Sequence, residues 1–195
     1  MGICVAAVNS FQILRKPVIR FYKMSAAPQM ELANEIIPRL WLGNRNAALD
    51  PAWLTSHGIT AVFNATKDIP FADGSPSIIK YRIPVDDNLE DDEIINMAKW
   101  SPEIVYNVLK EYQGGGNILI HCAAGVQRSA AITAMTLIAL KGMPIDQVIT
   151  FIKSRRPIAF YPAPNFYKSI TIFEQYYNQV LRPGLAAAVH TKKNV

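Results

Sequence analysis

A cysteine and an arginine stand six residues apart in a segment whose other members are mostly small or apolar. The segment at residues 118–130 reads Ile-Leu-Ile-His-Cys-Ala-Ala-Gly-Val-Gln-Arg-Ser-Ala, with Cys122 after one apolar run and Arg128 before another. The first run predicts a buried strand and the second a buried helix. Between them, the loop amides and the positive end of the helix can converge in front of the Cys122 sulfur. The segment therefore predicts a site for an anion.

Such a site makes Cys122 a candidate nucleophile. The loop amides, the helix end and the Arg128 guanidinium favour a thiolate, so the pKa of Cys122 is expected to lie well below about 8.5. The planar guanidinium of Arg128 can bind two oxygens of a phosphoryl group. Gly125 allows the loop to turn without a side chain near those oxygens, and the Ser129 hydroxyl can donate to the sulfur. His121 is expected to face away and bond to the backbone.

Phosphoryl transfer to a thiolate also needs an acid for the departing oxygen and then a base for water. Asp86 and Asp87 open a run of six acids among residues 86–93 and follow a predicted strand. We expect one of these two carboxyls to reach the site, and their position alone leaves both open. Residues 90–93 are expected to be solvated and can also open a helix.

The surrounding elements predict an α/β fold, with a central, mostly parallel sheet of about five strands flanked by helices. The predicted strands cover residues 36–42, 60–64, 78–85 and 117–121. A helix is predicted to begin at Ser101, with Ser101 as N-cap and Pro102 at the first helical position. Residues 129–140 are apolar on nearly every side, so this helix should run through the centre of the domain. Two further helices are predicted at residues 144–154 and 165–181.

The positive charge of the chain lies at its ends. The 195 residues carry a net charge of +5, from 20 Lys and Arg and 15 Asp and Glu. Residues 1–30 hold four basic side chains and residues 182–195 hold three, without any acid. Residues 31–181 therefore have a net charge of −2, from 13 basic and 15 acidic side chains. This distribution does not match the cationic face of a duplex-binding domain, so we expect no nucleic-acid partner.

Residues 121–129 resemble the His-Cys-x-x-Gly-x-x-Arg-Ser/Thr signature of the cysteine-based protein tyrosine phosphatase superfamily. Over about residues 34–180 the chain resembles the small dual-specificity phosphatases in particular. The matching segments are residues 37–44, 58–64, 142–148 and the triplet Arg155-Arg156-Pro157. The chain lacks the Trp-Pro-Asp acid loop of the classical tyrosine phosphatases. Two parts depart from the family pattern, namely residues 160–165 and the N-terminal residues 1–30.

The resemblance implies the cysteine-phosphatase fold and a shallow pocket open to phosphoserine and phosphothreonine as well as phosphotyrosine. Cys122 is then the nucleophile, which forms a phosphocysteine intermediate, and Arg128 binds the phosphate and the transition state. In this family the acid stands four residues after an isoleucine like Ile83, which selects Asp87 and leaves Asp86 as the alternative. The residues expected to bind phosphate are Ala123, Ala124, Gly125, Val126, Gln127, Arg128 and Ser129.

We therefore predict a hydrolase with a phosphoprotein as substrate and with phosphate or vanadate as a ligand of the site. No cofactor is expected, because three scattered histidines and two distant cysteines do not provide metal-ligand spacing. One alternative is a phosphatase acting on RNA 5′-triphosphates or phosphoinositides, which usually adds Lys or His inside the loop. A second alternative is a rhodanese-type sulfurtransferase, but such an enzyme does not need the acid loop. A third is a non-catalytic phosphoprotein-binding module; loss of Cys122 or Arg128 would favour it, and both residues are present.

Three segments are predicted along the chain: an N-terminal extension, a dual-specificity phosphatase catalytic domain and a basic tail, at residues 1–30, 31–181 and 182–195. Gly2 and Cys4 loosely match an acylation site, although Ala6 stands where myristoylation requires Ser or Thr. The extension is expected to be a membrane anchor, or an arm that packs on its own domain or on a second subunit of a homodimer, or a segment that arises from initiation upstream of Met24. With two cysteines, no signal peptide and no predicted transmembrane helix, the expected location is intracellular, in the cytoplasm.

Overall fold

The computed structural model describes residues 31–73 and 77–183. A five-stranded sheet lies at its centre, formed by β1 (Ala33–Ile37), β2 (Leu40–Gly43), β3 (Ala61–Asn64), β4 (Ile79–Arg82) and β5 (Ile118–His121). The strand order is β1-β2-β5-β3-β4. Only β1 and β2 pair antiparallel, and the other three pairs are parallel. The predicted mostly parallel sheet of about five strands is thus confirmed.

Helices cover both faces of this sheet. They are α1 (Arg45–Ala48), α2 (Pro51–Ser56), α3 (Asp91–Gln113), α4 (Arg128–Lys141), α5 (Ile145–Arg155) and α6 (Tyr167–Tyr176), which continues into a π-helical turn, Tyr177–Leu181. Every residue of α4 from Ser129 to Ile138 is buried, so the predicted central helix is confirmed. The helices predicted at residues 144–154 and 165–181 occur as α5 and as α6 with its π-helical turn.

Side-chain alternation along the strands divides the core into two clusters. Ile118 and Ile120 of the central strand β5 belong to the large cluster, which includes residues of α3, α4, α5 and α6. Leu119, between them, belongs to a smaller cluster with Leu54 of α2 and Ala47 of α1. Because successive side chains of a strand point to opposite faces, β5 is buried on both sides. The cysteine that follows β5 is therefore held by a rigid part of the domain.

The single strand predicted at residues 36–42 is wrong, because β1 and β2 form a hairpin with a turn at Pro38 and Arg39. Arg39 has a positive φ of 68°, which turns the chain back. Its guanidinium donates to the carbonyl oxygens of Tyr112 and Gly116, at the end of α3. The apolar residues on both sides of Pro38 and Arg39 concealed this turn, because they form one nearly continuous apolar run in the sequence.

The predicted start of α3 at Ser101 is also wrong, since the helix begins ten residues earlier, at Asp91. Pro102 lies inside it and cannot donate to the carbonyl oxygen of Ala98. The hydroxyl of Ser101 donates to that oxygen at 2.6 Å instead, so the helix continues past the proline. Acidic side chains occupy the first turn, where they interact favourably with the helix dipole.

Residues 1–30 lie outside the described residues, so the predictions of acylation at Gly2 and Cys4, of an arm and of a homodimer receive no structural account. The same holds for residues 184–195 of the predicted tail. Within the described ranges, no single helix is long and apolar enough to cross a membrane; α4 and α5 together pass that test by length and composition, with a bend of 119° between them.

Candidate active site

The cysteine loop (residues 122–128) connects the central strand β5 to the buried helix α4. Cys122 is 2% exposed. Its sulfur accepts a hydrogen bond from the Gly125 amide at 3.3 Å and one from the Ser129 hydroxyl at 3.2 Å. The structure thus brings together the sulfur, the loop amide and the hydroxyl that the sequence singled out.

Opposing effects act on the pKa of Cys122. Burial raises this pKa, because it disfavours the charged thiolate. The Ser129 hydroxyl, backbone hydrogen bonds of Ser129 and Val126, and the charge of Arg128 all lower it. Their sum outweighs burial, so the pKa of Cys122 lies below its ordinary value. A lowered pKa increases the fraction of thiolate, the form that acts as nucleophile.

Gly125 is the position where the loop requires glycine. Its φ is +70°, in the left-handed region that other residues seldom adopt. A Cβ atom there would lie 2.5 Å from the carbonyl oxygen of Gly43 and 2.8 Å from the Arg156 guanidinium. The loop is therefore packed directly against the end of β2, and the amide of Arg45 also donates to the Ala123 carbonyl oxygen at 3.1 Å.

Arg156 supports the cysteine loop from inside the protein and was assigned no role from the sequence. It is 1% exposed, and its Nε donates to the Gly125 carbonyl oxygen at 2.8 Å. Its Nη1 donates to the Asn34 side chain at 2.6 Å and to the Glu31 carbonyl oxygen at 3.2 Å. Burial lowers the pKa of Arg156. The sequence contains one signal for its burial, because Arg156 continues the helical spacing of the buried residues of α5, which are Ile145, Val148 and Ile152.

Arg128 stands at the start of α4 and reaches the acid loop (residues 84–90). Its Nη1 donates to the Val85 carbonyl oxygen at 3.1 Å. Its Nε is buried and has no hydrogen-bond partner among residues 31–73 and 77–183. A buried donor without a partner is costly unless a ligand satisfies it. This geometry suits a guanidinium that receives an oxyanion beside Cys122.

The two adjacent aspartates of the acid loop have different partners. Asp86 forms an ion pair with Lys67 at 2.8 Å, and Lys67 also contacts Glu93 of α3 at 2.5 Å. The amide of Asp86 donates to the same Glu93 carboxylate at 2.9 Å. Asp87 is exposed, and its Oδ1 accepts a hydrogen bond from the Asn165 side chain at 2.8 Å. Asp86 is thus used in a cross-link to α3, whereas Asp87 has no ion pair with any residue of 31–73 or 77–183.

The side chain of Gln127 is turned towards the tyrosine segment (residues 160–165). Its Nε2 donates to the carbonyl oxygens of Tyr161 and Ala163, both at 2.9 Å. Its Oε1 accepts from the Asn165 amide at 3.0 Å. This side chain is therefore fully used within the protein, and any contact of Gln127 with phosphate falls to its backbone. The sequence could not show this, because the partners are 34 to 38 residues away.

His121 is fully buried, and its Nδ1 lies 3.4 Å from the Cys122 carbonyl oxygen. Burial lowers the pKa of His121 to about 4, and the positive charges of Arg82 and Arg128 contribute to the shift. The imidazole is therefore neutral at neutral pH. As expected from the sequence, this histidine contacts the backbone of the loop.

A comparison with known protein families identifies the family to which this domain belongs. Residues 40–176 match the family model of the dual specificity phosphatase catalytic domain, which is more than half of the chain. The chain belongs to the dual specificity phosphatase family. The family suggested by the resemblance is thereby confirmed, and the described domain is the catalytic domain of a family of cysteine-dependent phosphatases.

Relatives and solved structures agree with this family. The mouse dual specificity protein phosphatase 2 is 34% identical over 133 residues, which are 68% of this chain and 39% of that protein. The human dual specificity protein phosphatase 1 is 32% identical over 154 residues, which are 78% of this chain and 39% of that protein. The chain thus spans about two fifths of the length of these relatives.

Among solved structures, human DUSP28 superposes with a TM-score of 0.68 at 25% identity, covering 78% of this chain and 99% of that chain. The structure of DUSP15 has a TM-score of 0.68 at 29% identity, covering 80% of this chain and 95% of that chain. The predicted cysteine-phosphatase fold is thus confirmed.

Proposed function

We propose that this chain hydrolyses phosphotyrosine and phosphoserine or phosphothreonine in phosphoproteins through a phosphocysteine intermediate. The observation that carries the proposal is the Cys122 sulfur, which is buried, accepts hydrogen bonds from Gly125 and Ser129, and has a lowered pKa. Beside it, the Arg128 guanidinium has a buried donor without a partner in the described ranges. A thiolate next to an anion-binding guanidinium is suited to attack a phosphate ester.

The first step transfers the phosphoryl group to the enzyme. The Cys122 thiolate attacks phosphorus, so that an S–P bond forms while the bond to the leaving oxygen breaks. Arg128 and the amides of the cysteine loop hold the phosphoryl oxygens, whose charge they offset. Asp87 donates its proton to the leaving oxygen, which departs as the hydroxyl of the dephosphorylated residue.

The second step hydrolyses the phosphocysteine. The Asp87 carboxylate takes a proton from a water molecule, whose oxygen attacks phosphorus as the S–P bond breaks. Cys122 leaves as a thiolate, and the Ser129 hydroxyl, at 3.2 Å from the sulfur, stabilises it. The products are inorganic phosphate and the free enzyme, with Asp87 again protonated.

Asp87 is proposed as the acid on two grounds. In the family pattern, the acid stands four residues after an isoleucine like Ile83, which selects Asp87. The Asp86 carboxylate instead forms an ion pair with Lys67, and the Asp86 amide donates to Glu93. The only side-chain bond of Asp87 in the described ranges is the one from the amide of Asn165, at 2.8 Å.

The alternative substrates fit the cysteine loop less well. The variable positions Ala123, Ala124, Val126 and Gln127 are uncharged, so the loop side chains offer no extra cation for a triphosphate or a phosphoinositide. A non-catalytic phosphoprotein-binding module would not need a nucleophile, whereas this loop keeps both Cys122 and Arg128.

The proposal extends to the organisation of the chain. We retain residues 31–181 as the catalytic domain, supported by the family match over residues 40–176. A reducing intracellular location, in the cytoplasm, suits a free thiol nucleophile. Residues 1–30 are retained as an anchor or a dimerisation arm, and vanadate as a ligand of the site.

The test replaces Cys122 by serine in the full chain. Cys122→Ser should abolish hydrolysis of an aryl phosphate and of a phosphotyrosine peptide, while peptide binding measured by calorimetry persists. Wild-type enzyme quenched in acid during turnover of ³²P-labelled peptide should carry acid-stable label, and the variant should not. Cys4→Ser is the matched control and should keep both activity and label. Undiminished turnover by Cys122→Ser would overturn the proposal.

A further inference from the structure

Two exposed apolar side chains stand on loops that meet beside the proposed acid. Leu89 is 64% exposed and follows Asp87 by two residues in the acid loop. Tyr161 is 73% exposed and precedes Asn165 by four residues in the tyrosine segment. The bond from Asn165 to Asp87, at 2.8 Å, joins these two loops. Leu89 and Tyr161 therefore lie two and four residues along the chain from the two side chains that make this bond.

Hydrogen bonds connect the backbone of both loops to the cysteine loop. In the tyrosine segment, the backbone amide of the buried Phe160 donates a hydrogen bond to the Val126 carbonyl oxygen at 2.8 Å. Gln127 holds the Tyr161 carbonyl oxygen at 2.9 Å. In the acid loop, Arg128 holds the carbonyl oxygen of Val85 at 3.1 Å. The cysteine loop thus anchors both segments through its own residues.

Both segments also contain a non-glycine residue in the left-handed region, Leu89 with φ 64° and Phe160 with φ 62°. Such conformations cost free energy and are found preferentially at ligand-binding positions. An apolar side chain stabilises the fold by leaving water, and Leu89 and Tyr161 remain mostly exposed. A bound apolar group would cover them.

We propose that Leu89 and Tyr161 form an apolar rim that receives the aromatic ring of phosphotyrosine, so that this enzyme favours phosphotyrosine over phosphoserine. This inference rests on the proposed function and adds a substrate preference to it. A phosphotyrosine bound at Cys122 carries a six-membered ring between its phosphate and its backbone, and this ring can pack on the rim. Phosphoserine has only a methylene group there and cannot bury comparable apolar surface.

The test uses two peptides of identical sequence that differ only in carrying phosphotyrosine or phosphoserine. In the full chain, Tyr161→Ala should lower kcat/KM for the phosphotyrosine peptide by about tenfold, the size expected for loss of one aromatic contact. The loss should lie in KM. For the phosphoserine peptide the change should stay below about twofold, and Tyr161→Phe should retain wild-type values because it keeps the ring.

Matched controls separate the rim from general effects. Leu89→Gly, which also relieves the positive φ, should reproduce the selective loss. Tyr106→Ala removes a tyrosine that is 67% exposed on α3 and should change neither substrate. An equal loss of kcat/KM for both peptides, or no loss for either, would contradict the proposed rim. If wild-type enzyme hydrolyses neither peptide, the proposed function fails; if it hydrolyses both and Tyr161→Ala has no selective effect, only the rim fails.

Discussion

The guanidinium of Arg128 donates a hydrogen bond of 3.1 Å to the carbonyl oxygen of Val85, the residue before Asp86. This bond links the proposed phosphate-binding arginine to the backbone that carries the proposed acid. A guanidinium has five N–H donors in a fixed plane, so one can hold the acid loop while others bind an oxyanion. The proposed phosphate site and the loop of the proposed acid are therefore linked by one side chain.

Replacing Arg128 by lysine should lower kcat about 100-fold or more, because an ammonium group cannot bind the Val85 carbonyl and two phosphoryl oxygens in one plane. The affinity for vanadate should fall as well. Steady-state kinetics with an aryl phosphate and vanadate titration measure both effects. Arg45→Lys, an exposed substitution beside the cysteine loop, should leave both unchanged, and equal effects of the two variants would contradict the role of Arg128.

Replacing Asp87 by asparagine should slow hydrolysis of alkyl phosphates by 100-fold or more, since these leaving groups require a proton in the transition state. Aryl phosphates with acidic phenols should be affected far less. The measurement is kcat for a series of esters with increasing leaving-group pKa. Asp86→Asn is the neighbouring control and should not steepen this dependence; if it does so instead of Asp87→Asn, the acid is Asp86.

Replacing Arg156 by methionine should destabilise the protein by about 3 kcal/mol, because buried carbonyl oxygens of the cysteine loop lose their charged donor. Activity should fall with it, since Gly125 is no longer held. Urea denaturation and steady-state kinetics check the two effects. The adjacent Arg155 is exposed, and Arg155→Met should cost less than about 0.5 kcal/mol. A stable and fully active Arg156→Met would contradict the supporting role.

Stability should decrease as the pH falls from about 6.5 to about 4. In the unfolded chain His121 takes up a proton near pH 6.5, whereas in the folded protein its pKa is about 4. Between these values the unfolded state binds more protons, so lower pH favours unfolding, by up to about 3 kcal/mol in total. Urea midpoints from pH 7 to pH 5 measure the slope. His121→Asn should flatten it, and a half-exposed control, His57→Gln, should not.

The sequence was most informative where the residues of the candidate site lie close together along the chain. Cys122, Gly125, Arg128 and Ser129 lie within eight residues, and a buried strand and a buried helix hold their ends, so local pattern was enough to predict their grouping. From the sequence, Asp87 could be preferred to Asp86 as the acid only by the spacing from Ile83 that the family resemblance implies. The structure adds a physical distinction, because Lys67, some 20 residues upstream, pairs with Asp86.

Other parts depended on contacts that sequence spacing does not encode. Arg156, Asn165 and the side chain of Gln127 acquire their roles from partners brought close only by the folded chain. The start of α3 was misplaced because Ser-Pro is a common helix opening, whereas here the Ser101 hydroxyl replaces the bond that Pro102 cannot make.

The bonds from Arg156 to the Glu31 carbonyl oxygen and the Asn34 side chain bear on how the protein can be shortened. A truncation to Leu40, where the family match begins, would delete β1 and both of these acceptors, and would leave the guanidinium beneath Gly125 with fewer partners. A minimal active fragment should therefore start no later than Glu31, nine residues before the border that homology alone would suggest.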